Sequence, residues 1–303
     1  MIPLCLVTGF LGSGKTTFLK CVVERNADRK LVYLVNEFSP RDVDGALVSD
    51  ADADVIAVPG GSIFCKCLVG SFMNHLQAIP GSFSSPGSPV EGVVIEASGI
   101  ADPRVIETML AETQLDRIYR LATIISIVAP NSFAKLLHTL PNIAAQVEVA
   151  DHVLLNKLDL CSAEQIEEAE AKVRELNADA LLWRTEHAQA DVPLFGPADA
   201  RNLTGDYALC VDPNYDRLFV SFEAPVEPGE LTRVLREASA DVYRAKGVVP
   251  TAEGPRYFDF SVADTTLSEA PEAVPPGVAV IVRGGTRASM VETLSRVPGA
   301  TVG

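Results

Sequence analysis

Residues 9–16 read Gly-Phe-Leu-Gly-Ser-Gly-Lys-Thr and satisfy the pattern G-x-x-x-x-G-K-S/T at every fixed position. Glycines at 9, 12 and 14 free the backbone to wrap a phosphate chain with its N–H groups turned inward. Lys15 has the reach and the charge for β- and γ-phosphates, and the Thr16 hydroxyl suits Mg²⁺. A helix starting here aims the positive end of its dipole at the same anions. An apolar strand runs into the loop and helical spacing leaves it, as the chemistry requires.

Two further strings are read against this loop. Asn156-Lys157-Leu158-Asp159 closes an apolar run. A carboxylate there accepts both N–H donors of guanine, Asn156 bonds the base edge, and the Lys157 stem lies along the purine face. Adenine lacks that donor pair, so a site built for guanine leaves the carboxylate badly paired with ATP. Read alone, the four residues equally suit a polar turn with a helix cap. Val93-Val94-Ile95-Glu96-Ala97-Ser98-Gly99 places an acid at the end of a buried strand. Glu96 can hold the Mg²⁺ shell directly or through water, and the Gly99 N–H can sense a γ-phosphate. The plainer alternative for Glu96 is an acid capping a strand end.

The elements that must position these residues alternate. Runs at 2–8, 31–35, 93–96, 122–128 and 152–155 are continuously apolar, which suits parallel strands buried on both faces. Segments 16–25 and 162–177 have helical character, the second with Ser162 as its cap. The fold class expected is α/β: a mostly parallel, helix-covered sheet over residues 1–200, followed by a small α+β domain over 210–303. Residues 81–89 (GSFSSPGSP) and 188–214 read as loop and linker. Beyond the linker, 217–223, 257–263 and 278–283 read as strands, and 229–245 and 287–296 as helices.

Composition sets the bounds. The 303 residues are 48% apolar and carry a net charge of −15, which argues against a nucleic-acid partner, since binding a polyanion needs a basic face. The longest apolar run, 121–129, is about half of a membrane span. The first residues lack a charged leader, so a cytoplasmic location is expected. Six cysteines are too sparse for a disulfide scaffold, and the cytosol would keep them reduced. Cys5 and Cys21 read as small buried hydrophobes.

Together the strings GFLGSGKTT (9–17), NEF (36–38), EASGIADP (96–103), LLNKLDL (154–160) and RAKG (244–247) resemble the CobW-type GTPases, relatives of the HypB and UreG nickel-insertion GTPases. The resemblance covers nearly the whole chain, RAKG being typical of the small CobW C-terminal domain. It implies a P-loop fold that binds GTP or GDP with Mg²⁺, hydrolyses GTP, and couples the nucleotide to delivery of a metal or metallocofactor to a client protein. A homodimer is also consistent with it. The nucleotide-binding set it implies is Gly9, Gly12, Ser13, Gly14, Lys15, Thr16, Thr17, Gly99, Asn156, Lys157 and Asp159. Lys15, Thr16, Glu96, Glu37 and Asp44 are the candidates for catalysis; Asp44 stands at the spacing of the family's later acid.

The chain also departs from that pattern. The family's metal motif is C-x-C-C after a glycine; here Ser62 and Phe64 occupy the first two cysteine positions, Cys65 matches, and Cys67 is an addition. NEFG has become Asn36-Glu37-Phe38-Ser39, Ala129 stands where an Asp is common, and the four histidines are scattered. Cys65 and Cys67, two apart on an extended segment, offer two soft ligands on one face for Zn²⁺, Co²⁺ or Ni²⁺. Glu37, brought near by family analogy, is the candidate third ligand. The same pair equally suits structural thiols, or redox chemistry favoured by Lys66. Without a metal cargo the chain would be a nucleotide-gated binding or regulatory protein.

Overall fold

The computed structural model describes residues 1–37, 54–59, 62–65, 68–196, 203–208, 215–261, 264–270 and 274–303. Strand β1 (Ile2–Thr8) is buried over its last five residues. It lies between β4 (Gly92–Glu96) and β5 (Tyr119–Val128), parallel to both. With β2 (Leu31–Glu37), β3 (Asp54–Pro59), β6 (His152–Leu155) and β7 (Leu181–Arg184), the described residues form a seven-stranded sheet of order β3-β2-β4-β1-β5-β6-β7. Every pairing is parallel. All seven C-terminal ends therefore lie along one edge, where doubly wound sheets bind ligands.

Helix α1 (Lys15–Arg25) turns Phe18, Leu19, Val22 and Val23 into a core with Cys5, Val7, Tyr33 and Ile125. The helices α2 (Val69–Phe83), α3 (Val105–Glu112), α4 (Pro130–Thr139), α5 (Pro141–Glu148) and α6 (Ala163–Leu176) complete the unit. Ser162 caps α6 in a reciprocal pair: its Oγ accepts from the Gln165 N–H, and its own N–H donates to Gln165 Oε1.

Two expectations are corrected. Residues 81–83, read as loop, are the last turn of α2, which contains Pro80. Phe72, Met73, Leu76 and Ile79 make a buried stripe at helical spacing, and that burial holds the helix together past the proline. Residues 229–245, read as one helix, divide into α7 (Pro228–Glu237) and β9 (Val242–Thr251). Good helix formers at 236–246 are overridden because β9 is an inner strand of the second sheet.

The chain divides into two compact units, Met1–Cys210 and Val211–Gly303. The second contains β8 (Tyr215–Phe222), β9, β10 (Gly254–Ser261), β11 (Thr265–Glu269), β12 (Gly277–Arg283) and β13 (Ala300–Val302) in the order β11-β10-β9-β12-β8-β13, paired antiparallel. Helices α7 and α8 (Arg287–Leu294) contribute Leu231, Val234, Leu235, Met290 and Leu294 to its core against Val220, Ala245, Phe258 and Val280. Gly247 has φ 156°, and a Cβ there would stand 2.0 Å from the Gly277 carbonyl oxygen, so β9 and β12 approach as only glycine permits.

Candidate functional site

The loop from Gly9 to Lys15 leaves β1 at the shared edge, and three glycine contacts define its shape. A Cβ on Gly9 would lie 2.3 Å from the Ile127 carbonyl oxygen of β5, and one on Gly14 2.3 Å from Asn156 Nδ2. A Cβ on Gly99 would lie 2.5 Å from the Leu11 nitrogen. Gly9, Gly12 and Gly14 all have positive φ. The structure therefore brings together the phosphate loop, the end of β4 and the end of β6, as the three sequence strings require. Lys15 Nζ donates to the carbonyls of Gly9 at 2.8 Å and Phe10 at 3.4 Å, so the ammonium lies against the loop that precedes it. Thr16 is half-buried and Thr17 exposed.

Glu96 ends β4, 3% exposed, alongside Val7 and Val35. Near the ends of β1, β4 and β5 and in the loop that follows β1, Thr8 Oγ1, Ser98 Oγ, Ser126 Oγ and Ser13 Oγ are buried with no hydrogen-bond partner among the described residues. Thr8 and Ser126 are register partners at the ends of β1 and β5. Each unmet hydroxyl costs about 1–3 kcal/mol in an apolar surround, so four at one strand edge mark a place built for polar occupants. A polyphosphate with Mg²⁺ fits that set of groups: a lysine, hydroxyls and one carboxylate, all of them groups for phosphate or a hard cation.

On the base side, the structure assigns Asn156 a role different from the expected one. It is 1% exposed; its Nδ2 donates to the Ser13 carbonyl at 2.7 Å, and its Oδ1 accepts from the Ala188 N–H at 2.8 Å. Both ends of the amide brace the protein: one holds the phosphate loop, the other the turn after β7. Lys157 is in the left-handed region at φ 64°, half-buried, and starts the short turn Leu158–Leu160, which leaves Asp159 exposed. Cys161 donates to the Lys157 carbonyl, and burial pushes its thiol pKa upward.

Three features escaped the sequence reading. The turn following β7 has His187 and Ala188 both left-handed, at φ 51° and 56°, with Ala188 fully buried. No glycine marks it. Asn142 Nδ2 and Gln146 Nε2 of α5 donate to the carbonyls of Ile100, Gly99 and Ala101, fixing the loop after Glu96. Asn36, 4% exposed at the end of β2, donates from Nδ2 to the Val58 carbonyl, and its Oδ1 accepts from the N–H groups of Ile63 and Ser98.

The cysteine segment is partly in view. Ser62 and Phe64, the residues at the family's first two cysteine positions, are 5% and 1% exposed, and the Phe64 ring stacks edge-on with Phe72 of α2. Cys65 is buried and disulfide-bonded, its partner outside the described residues. That corrects the expectation of uniformly reduced thiols. A disulfide sulfur is no thiolate, so Cys65 becomes a soft ligand only after reduction. Cys67, Asp44 and the side chain of Glu37 lie outside the described residues. Among the described residues, no group of three or more His, Cys, Asp or Glu is placed to hold a metal ion. Cys5 is buried as expected, whereas Cys21 is only half-buried. No helix of the described residues is long and apolar enough to cross a membrane.

Comparison with known proteins identifies the family. Residues 3–184 match the family model for the CobW/HypB/UreG nucleotide-binding domain, and residues 215–295 match that of the cobalamin synthesis protein CobW C-terminal domain. The zinc chaperone YjiA of Escherichia coli is 26% identical over 262 residues, covering 82% of this chain and 81% of its own length. The zinc-regulated GTPase metalloprotein activator 1 of Schizosaccharomyces pombe is 25% identical over 198 residues, 63% of this chain and 47% of its own. The crystal structure of Zn(II)-bound YjiA GTPase superimposes with a TM-score of 0.47 at 21% identity over 98% of each chain.

Proposed function

Because this chain belongs to the CobW/HypB/UreG family of nucleotide-binding proteins and bears the CobW C-terminal domain, we propose that it binds and hydrolyses GTP and uses the nucleotide state to deliver a metal ion to a client protein. The carrying observation is the brace at Asn156. It ties the loop with phosphate chemistry to the strand end with guanine chemistry, so one ligand spanning both is recognised as a unit. The relatives named as a zinc chaperone and a zinc-regulated metalloprotein activator support the metal half of the reading.

In this reading Lys15 and the loop amides bind the phosphates, and the N–H of Gly99 is turned toward the terminal one. Asp159 accepts from guanine, with Lys157 against the ring. Thr16 and Glu96 would hold Mg²⁺, which supplies charge neutralisation for phosphoryl transfer. Gln146 and Asn142 keep the Gly99 loop in place, and Gly99, having no side chain, lets that loop lie against Leu11 of the phosphate loop. Glu37 and Asp44 remain the candidates for orienting the attacking water. Since the protein mainly positions groups here, slow intrinsic turnover raised by a partner is expected. The client is a metalloprotein or cofactor-dependent enzyme, and the site of action the cytosol.

The cargo site rests on Cys65, Cys67 and Glu37. Equilibrium dialysis with Zn²⁺, Co²⁺ or Ni²⁺, in reducing buffer and with GTP analogue, GDP or no nucleotide, tests it. Stoichiometric binding that differs between nucleotide states is the expected result. It should strengthen as pH rises through the thiol range, because thiolate ligands release protons. It should vanish in the Cys65→Ser/Cys67→Ser pair, which keeps GTP binding. A second reading, a nucleotide-gated binding protein without cargo, is favoured by the disulfide at Cys65 and the core placement of Phe64. Absence of stoichiometric, nucleotide-dependent metal binding by the wild type would select that second reading, whereas unchanged stoichiometry in the double variant would rule out the cysteines as the cargo site.

A further inference from the structure

We propose that Asn36 is a positioning residue that passes the state of the phosphate-side loop to the cysteine segment and onward to the chain that enters the second unit. The inference rests on the GTP-binding reading above. Asn36 Oδ1 is shared: it accepts from Ser98 N–H at 3.2 Å and from Ile63 N–H at 3.0 Å. Ser98 directly precedes Gly99 and lies in the loop that packs on Leu11 of the phosphate loop. One residue beyond Ile63, the Phe64 carbonyl accepts from the Ala208 N–H at 3.0 Å, and Cys65 pairs with Ala208 as a parallel bridge.

The segment 203–208 is a strap along α3, the helix that leaves the same loop. The Leu203 N–H donates to Glu107 Oε2 at 2.8 Å, and Tyr207 Oη donates to Glu112 Oε2 at 2.5 Å. Burial and the Glu112 carboxylate push the Tyr207 phenol up to about 12, which keeps it a donor. Gly205 lies so close to α3 that a Cβ would stand 2.8 Å from Arg104 Cβ and from the Val105 nitrogen. The first unit ends at Cys210, two residues past Ala208.

From Ser98 to the strap, the hydrogen-bonded path is backbone at every point except one, the Asn36 amide. When the Ser98–Gly99 amides turn to a terminal phosphate, the Ser98 bond to Asn36 competes with that interaction, while the Ile63 bond to the same oxygen remains. The Ser62–Cys65 segment and the strap bonded to it then shift together. Contiguity alone does not establish coupling, so the measurement must read two nucleotide states.

The test is hydrogen exchange of the full chain in reducing buffer, at saturating GDP and at saturating non-hydrolysable GTP analogue. In the wild type, amide exchange in peptides covering 62–65 and 203–208 should differ between states by about fivefold or more, a typical coupling factor. In Asn36→Ala that difference should disappear from both segments. Gly205→Val, which lifts only the strap, should leave nucleotide affinity unchanged and keep the difference at 62–65 while abolishing it at 203–208. It also keeps the idea falsifiable if Asn36→Ala fails to fold. A difference retained at 203–208 in either variant, or wild-type exchange indifferent to nucleotide, overturns the relay. A wild type that binds no GTP analogue overturns the GTP reading itself, and the relay with it.

Discussion

Lys15 is the only cation in the 9–16 loop, and its ammonium already lies along the loop carbonyls. Lys15→Ala should therefore lower GTP turnover by about 100-fold or more, the scale of losing one preorganised donor to a developing charge. Wild-type turnover in that variant, followed by phosphate release, would refute the phosphate assignment. Asp159→Asn replaces one acceptor with a donor that opposes guanine and suits a 2-oxo base. The variant should gain affinity for xanthosine triphosphate as it loses affinity for GTP, and equal binding of ATP and GTP by the wild type would end that reading. Asn156→Ala tests the brace rather than the base. It strands the Ser13 carbonyl and the Ala188 N–H, at a cost of about 1–3 kcal/mol per buried group. The first unit should melt earlier, and GTP and GDP affinity should weaken by similar factors. Loss confined to base discrimination would mean the amide does face the base after all.

At the scale of elements, the close approach of β9 and β12 is the feature most open to a single change. Gly247→Val sets a branched side chain where even a Cβ meets the Gly277 carbonyl. The second unit should lose about 3 kcal/mol or more, at the upper end of single substitutions, while GTP binding by the first unit is retained. Calorimetry with a nucleotide titration separates the two effects. The same scale shows what a sequence makes legible. The phosphate loop and the Asn156–Asp159 string after β6 are local patterns, a few residues long and bounded by apolar runs, so the strands that lead into them could be read from the sequence. The Asn156 brace spans 143 residues to Ser13 and is invisible to spacing. The turn at His187–Ala188 takes positive φ without glycine, so its backbone gives no sign in residue types. Pro80 and the serine-rich stretch after it hid the end of α2, because local breakers outweighed a buried stripe four residues deep. Strand β9 was missed since Ala, Arg and Lys favour helix locally, and only pairing on both sides decides otherwise.

For the whole molecule, two cores in two units predict two thermal transitions rather than one. GTP analogue at 100-fold over its dissociation constant should add about 2.7 kcal/mol to the unit that binds it. For a unit of this size that raises one transition by roughly 5–10 °C and leaves the other in place. A single transition moved as a whole by nucleotide would mean the units unfold together. The placement of β1 has a consequence for how the chain is made. Among the described strands of its sheet it comes earliest in the sequence, yet it pairs with β4 and β5, which end at Glu96 and Val128. At about 5–20 residues per second, roughly 6–24 s pass between completion of β1 and completion of its second neighbour. Until the chain reaches Glu96, β1 has neither of its native neighbours, and a chaperone that holds the nascent chain over that stretch would raise its yield.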